Sequence, residues 1–86
     1  MDNDPTPLDL RLAVELDLAR NMLVTMGDEL AMSEAVVAEH GTALQAVDIV
    51  GQMLGHIANV VRAADRRAAV DKIGMCELKA KLAAAA

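Results

Sequence analysis

Two long stretches of the chain carry apolar residues spaced alternately three and four positions apart. We call these stripes the first and second seams, and their members are Leu12, Leu16, Ala19, Leu23, Met26 and Leu30, then Val47, Val50, Leu54, Ile57, Val61, Ala64 and Ala68. This spacing places each set along one side of an α-helix and is typical of coiled-coil-like packing. No alternating strand pattern occurs elsewhere, so the sequence predicts an all-α protein.

The first helix has a clear start signal. Thr6 can cap a helix, and Pro7 fits the first helical position. We expect this helix to end between Gly27 and Met32, and Ser33 to cap a short helix over residues 34–40.

A second long helix is predicted after Gly41, which we expect to stop the short one. Thr42 and Gln45 match the capping-box pattern, in which two side chains satisfy backbone N–H groups at a helix start. The long helix is therefore expected from Ala43 to at least Ala64. Joined by a short segment, the two long helices should form an antiparallel hairpin, seam against seam.

After residue 64 we expect only short helical segments. The segment 65–67 is expected either to bend or to continue the helix, Gly74 is a plausible stop, and residues 75–82 are expected to form a last helix. We therefore interpret 1–7 as a disordered lead-in, 8–82 as a single helical domain, and 83–86 as a frayed or artificial tail.

Each long helix also carries a second apolar stripe, which one hairpin would leave uncovered. These residues are Leu10, Val14 and Leu18 on the first helix, and Ile49, Met53, His56 and Val60 on the second. Exposed aliphatic side chains favour association. The stripes predict a homodimer built as a helical bundle, with these residues as the self-association or partner interface. The alternative is a monomer in which the short helices cover them.

A third row on the long helix consists of small residues. Gly51 and Gly55 are four positions apart, and Ala58 follows on the same side. Two glycines weaken a helix by about 2 kcal/mol together, and close packing of a neighbouring helix is the expected compensation. A ligand groove is the alternative interpretation.

Charge divides the chain into two halves. Residues 1–48 hold ten acidic and two basic groups, whereas 49–86 hold three acidic and six basic groups. The halves should attract each other, within a hairpin or between subunits. Arg62, Arg66 and Arg67 form a basic patch, which is a second candidate partner surface. The net charge of −5 argues against binding to a nucleic-acid backbone.

The sequence offers little catalytic chemistry. It has no Phe, Tyr or Trp, a single cysteine (Cys76) and two histidines, and no spacing typical of a metal site or cofactor. The longest uncharged run in the apolar middle, 49–61, is 13 residues, too short for a membrane span. The acidic start and the lone cysteine favour a cytoplasmic protein.

We therefore expect a small, acidic, non-enzymatic interaction module, such as an adaptor, regulator or inhibitor, that self-associates and binds an unidentified protein partner. One alternative is a helix-turn-helix DNA-binding regulator, since 33–52 has that skeleton, although no basic residue precedes Arg62 on the second helix. A second alternative is a ligand- or phosphate-accepting helical bundle using His56.

Overall fold

The computed structural model describes residues 4–85 and contains four α-helices. Their bounds are α1 Pro7–Ala31, α2 Glu34–Arg62, α3 Arg66–Asp71 and α4 Cys76–Ala85. No strand occurs within the described residues, and the all-α prediction is confirmed. Residues 1–3 of the predicted lead-in and residue 86 of the predicted tail lie outside the described residues.

The predicted start of α1 is confirmed. The Thr6 hydroxyl accepts a hydrogen bond from the Asp9 backbone N–H at 3.1 Å, and the Asp9 carboxylate accepts one from the Thr6 backbone N–H at 3.0 Å. Pro7 occupies the first turn. Ser33 likewise caps α2 by accepting from the Val36 N–H. Local hydrogen bonds therefore determine both helix starts.

The predicted end of the short helix at residue 40 is confirmed in position, because the backbone leaves helical geometry at His40, where φ is −127° and ψ is 24°. Two helical segments meet at this kink and together make up α2, Glu34–Arg62. The separate turn predicted at Gly41 and Thr42 is wrong, because helical backbone resumes directly after His40. No glycine among the described residues has a positive φ, so Gly41 does not adopt the left-handed conformation that ends helices. α2 then stops at Arg62, short of the predicted Ala64, because Ala63 is extended.

The C-terminal segment forms two short helices. Asp65 caps α3 by accepting from the Ala68 N–H at 3.0 Å, so the chain bends at residues 63–65. Val70, Ile73 and Leu78 are buried where α4 packs on α3, and α3 in turn packs on α2. α4 continues to Ala85, past the predicted end at residue 82.

The two long helices lie side by side. α1 and α2 are antiparallel, since Asp17 of α1 pairs with Arg62 near the end of α2, whereas Gly27 lies against Val47. The chain extends 52 × 26 × 15 Å. Its radius of gyration, 15.3 Å, exceeds the ~12 Å expected of a compact domain this long.

Small residues line the closest contact between α1 and α2, and of the seam residues Val47 reaches it, against Gly27. Ala13 and Ala58 are 1% and 0% exposed, and Gly51 is buried. A Cβ atom added at Gly27 would lie 3.0 Å from Val47 Cγ1, and one at Gly51 would lie 3.3 Å from Val24 Cγ2. The prediction of seam-to-seam packing is therefore wrong, because the small residues let the helices approach along a different line.

The seams remain largely uncovered as a consequence. Leu12, Met26, Leu30 and Val50 are 42–49% exposed. Leu16 and Leu23 of the first seam are only half-buried, and so are Val47, Leu54, Ile57 and Val61 of the second. No large side chain among the described residues is fully buried.

We expect Gly51→Leu to destabilise the chain by roughly 1–3 kcal/mol, because a bulky side chain there would separate α1 from α2. Gly41→Ala is the control. Its added Cβ meets nothing within 4 Å, and the change should stabilise α2 by up to about 1 kcal/mol. Urea unfolding followed by circular dichroism at one protein concentration measures both. Equal midpoints for Gly51→Leu and the wild type would contradict the close-packing account.

We also expect the start of α1 to weaken in acid. The Thr6 backbone N–H, then the Thr6 hydroxyl and Arg66, lower the pKa of Asp9 below its ordinary value of 3.8. A lowered pKa in the folded state gives stability that is present above the unfolded value and is lost as pH falls through the folded value. Between about pH 5 and pH 2, wild-type stability should fall more than that of Asp9→Asn. Parallel pH profiles would refute this contribution.

Candidate functional site

The two seams lie side by side on one broad side of the hairpin. At 100° per residue, each seam is displaced by roughly 70–90° from the buried line of its helix. Because α1 and α2 are antiparallel, both displacements point to the same side of the layer. We call this surface the seam face, and it consists of Leu12, Leu16, Ala19, Leu23, Met26, Leu30, Val47, Val50, Leu54, Ile57 and Val61.

The seam face is apolar over its whole length. Its positions include no charged or polar residue, and the ion pair between Arg11 and Glu15 (2.8 Å) lies outside the strip. α3 packs on α2 at the far end of the hairpin, and α4 packs chiefly on α3. The part of the face nearest the α1–α2 connection is therefore left open by the described helices.

A polar groove lies on the opposite broad side. It is lined by Arg20, Asn21, Val24, Asp48, Gly51, Gln52, Gly55, His56 and Asn59 and encloses about 480 Å³. The Arg20 guanidinium crosses α2 at Gly55, where an added Cβ would lie 3.4 Å from its Nη1 atom. The Arg20 guanidinium donates to the Asn21 side chain, and the Gln52 amide donates to Asp48. The predicted row of Gly51, Gly55 and Ala58 thus faces α1 and the Arg20 side chain.

The predicted interface residues do not form one surface. Leu10, Val14 and Leu18 are exposed on the outer side of α1. Ile49, Met53 and Val60 lie on the side of α2 turned away from α1, and His56 lies at the outer edge of the polar groove. Ile49 is exposed and the other three are half-buried. The two rows therefore lie on different faces of the layer.

His56 lies at a cleft between α2 and α3. The cleft encloses about 520 Å³ and is also lined by Asn59, Ala63, Asp65, Ala68, Ala69, Lys72 and Ile73. Asp65 caps α3, so its carboxylate already has a local partner. The cleft brings one histidine near a lysine but does not single out a reaction.

The predicted basic patch is used within the chain. Arg62 pairs with Asp17 and also donates to the Ala58 carbonyl at 3.2 Å. Arg66 pairs with Asp9 at 2.9 Å, and Arg67 has an interaction of its own. The attraction expected between the acidic and basic halves therefore occurs inside one hairpin.

The described part of the chain offers no cluster of metal-ligating side chains. Over residues 4–85, no three His, Cys, Asp or Glu side chains are grouped so that they could hold a metal ion. Cys76 is exposed.

No helix within residues 4–85 is both long enough and apolar enough to cross a membrane.

Sequence reasoning missed the seam face as a shared surface, although a signal for it exists. Ala13, Arg20 and Gly27 are seven residues apart, and so are Leu44, Gly51 and Ala58. These are second heptad registers beside the two bulky seams. Both registers are compatible with helix packing. The more hydrophobic register predicts a seam-to-seam contact between the helices, and the structure uses the register of small residues instead.

We expect the pair Asp17–Arg62 to stabilise the hairpin by about 1 kcal/mol, since both side chains are about one-third exposed and join α1 to α2. The pair Arg11–Glu15 is a matched control within one helix. Its side chains are 72% and 52% exposed, and it should contribute less than ~0.5 kcal/mol. Double-mutant cycles with alanine give each coupling energy, and equal couplings would contradict the ranking.

In comparisons with known proteins, no protein-family model, no curated protein sequence and no solved structure matches the chain.

Proposed function

We propose that this chain is a non-enzymatic helical interaction module that completes its packing against another protein chain. The observation that carries the proposal is that most of its large apolar side chains are exposed or only half-buried. Within residues 4–85, the buried hydrophobic residues are Ala13, Ala58, Val70, Ile73 and Leu78, of which only the first two belong to the main hairpin. Such a molecule has a framework of helices but little core of its own.

The surface area supports the proposal. The chain exposes 6196 Å², whereas a compact monomer of 9.1 kDa is expected to expose about 4,900 Å². The excess of about 1,300 Å² is larger than the ~800 Å² that each partner buries in an ordinary protein interface. Contact with one partner chain would therefore bring the exposed area into the usual range.

We favour protein contact over DNA binding for two reasons. The two helical segments of α2 meet at a single non-helical residue, His40, whereas a helix-turn-helix separates its helices by a turn of three or four residues. Arg62 and Arg66 are paired with carboxylates of the same chain, and phosphate contacts would have to displace those partners. The phosphate-accepting alternative has only the half-buried His56 in its favour.

The proposed module is a cytoplasmic protein, and it acts by contact without a cofactor. A lone exposed thiol such as Cys76 persists most readily in a reducing compartment. Its action as an adaptor, regulator or inhibitor would follow from which chain covers the apolar surface.

Solution behaviour of the purified chain tests this proposal. At sub-micromolar concentration, we expect strong fluorescence of the apolar dye ANS and an unfolding enthalpy below the ~0.7 kcal/mol per residue of ordinary domains. Both follow from apolar surface left without a partner. Weak dye binding at every concentration, together with an ordinary unfolding enthalpy, would instead indicate a self-sufficient monomer and refute the proposal.

A further inference from the structure

We infer that the chain covering the seam face is a second copy of this protein, and that two hairpins pack seam face to seam face as a four-helix bundle. This inference rests on the proposed function and specifies its partner and its surface. It replaces the two separated outer rows, which include Leu18 and Ile49, as the main self-association surface.

The single layer is the first argument. Protein domains bury their apolar faces between two packed layers of secondary structure. Here the α1–α2 hairpin is a single layer of two helices, and the seam face lies on one broad side of it. A second hairpin on this side supplies the missing layer.

The pattern of the face is the second argument. Two antiparallel helices that both present apolar residues at alternating three- and four-residue spacing have the repeat found along the core of four-helix bundles. A two-fold axis would bring each seam against a seam of the other copy. Since no seam position is charged, this pairing brings no like charges together.

The area is the third argument. If each copy buried its excess of about 1,300 Å², the dimer interface would total about 2,600 Å², within the range of permanent homodimers. At 100° per residue, Asp17, Arg20 and Arg62 lie along the α1–α2 contact and outside the seam face. Asp9 lies one turn before Leu12 on the seam side, and its charge is paired with Arg66.

A charge-reversal experiment tests the inference with a matched control. Leu12 and Leu18 are both on α1 and are 47% and 49% exposed, but only Leu12 is on the seam face; Met26, also 49% exposed, is a second seam position. We expect sedimentation equilibrium to show a dimer for the wild type and for Leu18→Glu. The double variant Leu12→Glu/Met26→Glu should dimerise more than about 100-fold more weakly.

Mixing complementary variants distinguishes a lost interface from a lost fold. We expect Leu12→Glu/Met26→Glu and Leu12→Lys/Met26→Lys each to be monomeric and to form a one-to-one heterodimer when mixed. The charges match whether position 12 meets position 12 or position 26 of the other copy. Circular dichroism of each variant alone should retain the helical signal of α1 and α2.

Three results would overturn the inference. They are a monomeric wild type at high micromolar concentration, an intact dimer in Leu12→Glu/Met26→Glu, and a dimer disrupted by Leu18→Glu instead. A monomeric wild type that binds ANS strongly would end the dimer inference alone, because its apolar face would then await a different protein. A monomer with weak dye binding and an ordinary unfolding enthalpy would end the proposed function as well.

Discussion

The close approach of α1 and α2 is the contact on which the rest of the architecture depends. Ala13, Gly27, Gly51 and Ala58 line it, and side chains this small allow helix backbones to come close together. Such a contact gains little from hydrophobic burial, because it buries few methylene groups. Its larger effect is geometric: it sets the rotation of each helix about its axis and so determines where the bulky side chains lie.

That rotation gives the hairpin two unlike broad sides. One carries both seams, and the other carries the groove lined by Arg20 and Asp48. The ion pairs Asp17–Arg62 and Arg66–Asp9 connect the start of α1 to the end of α2 and to α3. The pair Asp17–Arg62 lies off the seams and can hold the hairpin together without placing a charge on the apolar face. Asp9 lies one turn before Leu12 on the seam side, where Arg66 pairs with its charge. The acidic and basic halves of the sequence are thereby joined by ion pairs within one chain.

Local features of the fold were predictable from sequence because local interactions decide them. The caps at Thr6 and Ser33 depend on hydrogen bonds within three residues. The same logic succeeded only in part at residues 40–42, where the helix breaks at His40 but helical backbone resumes at once, without the turn that the pattern at Thr42 predicts. A local signal there competes with the contacts of α2 along α1, and sequence alone does not rank the two.

The position of the seams was not predictable from hydrophobicity for a related reason. Leu12, Leu30 and Val50 are better core residues than Ala13, Gly27 and Gly51, so a single-chain interpretation assigns the seams to the contact within the hairpin. That assignment assumes that one chain must satisfy its own hydrophobic surface. If the seams instead pack against another chain, the small residues are the ones left for the internal contact, and both heptad registers are used. The weak core of the single chain and the high hydrophobicity of its seams are then consequences of one arrangement. Larger side chains at the α1–α2 contact would favour turning the seams inward, which would stabilise the monomer and remove the surface available for association.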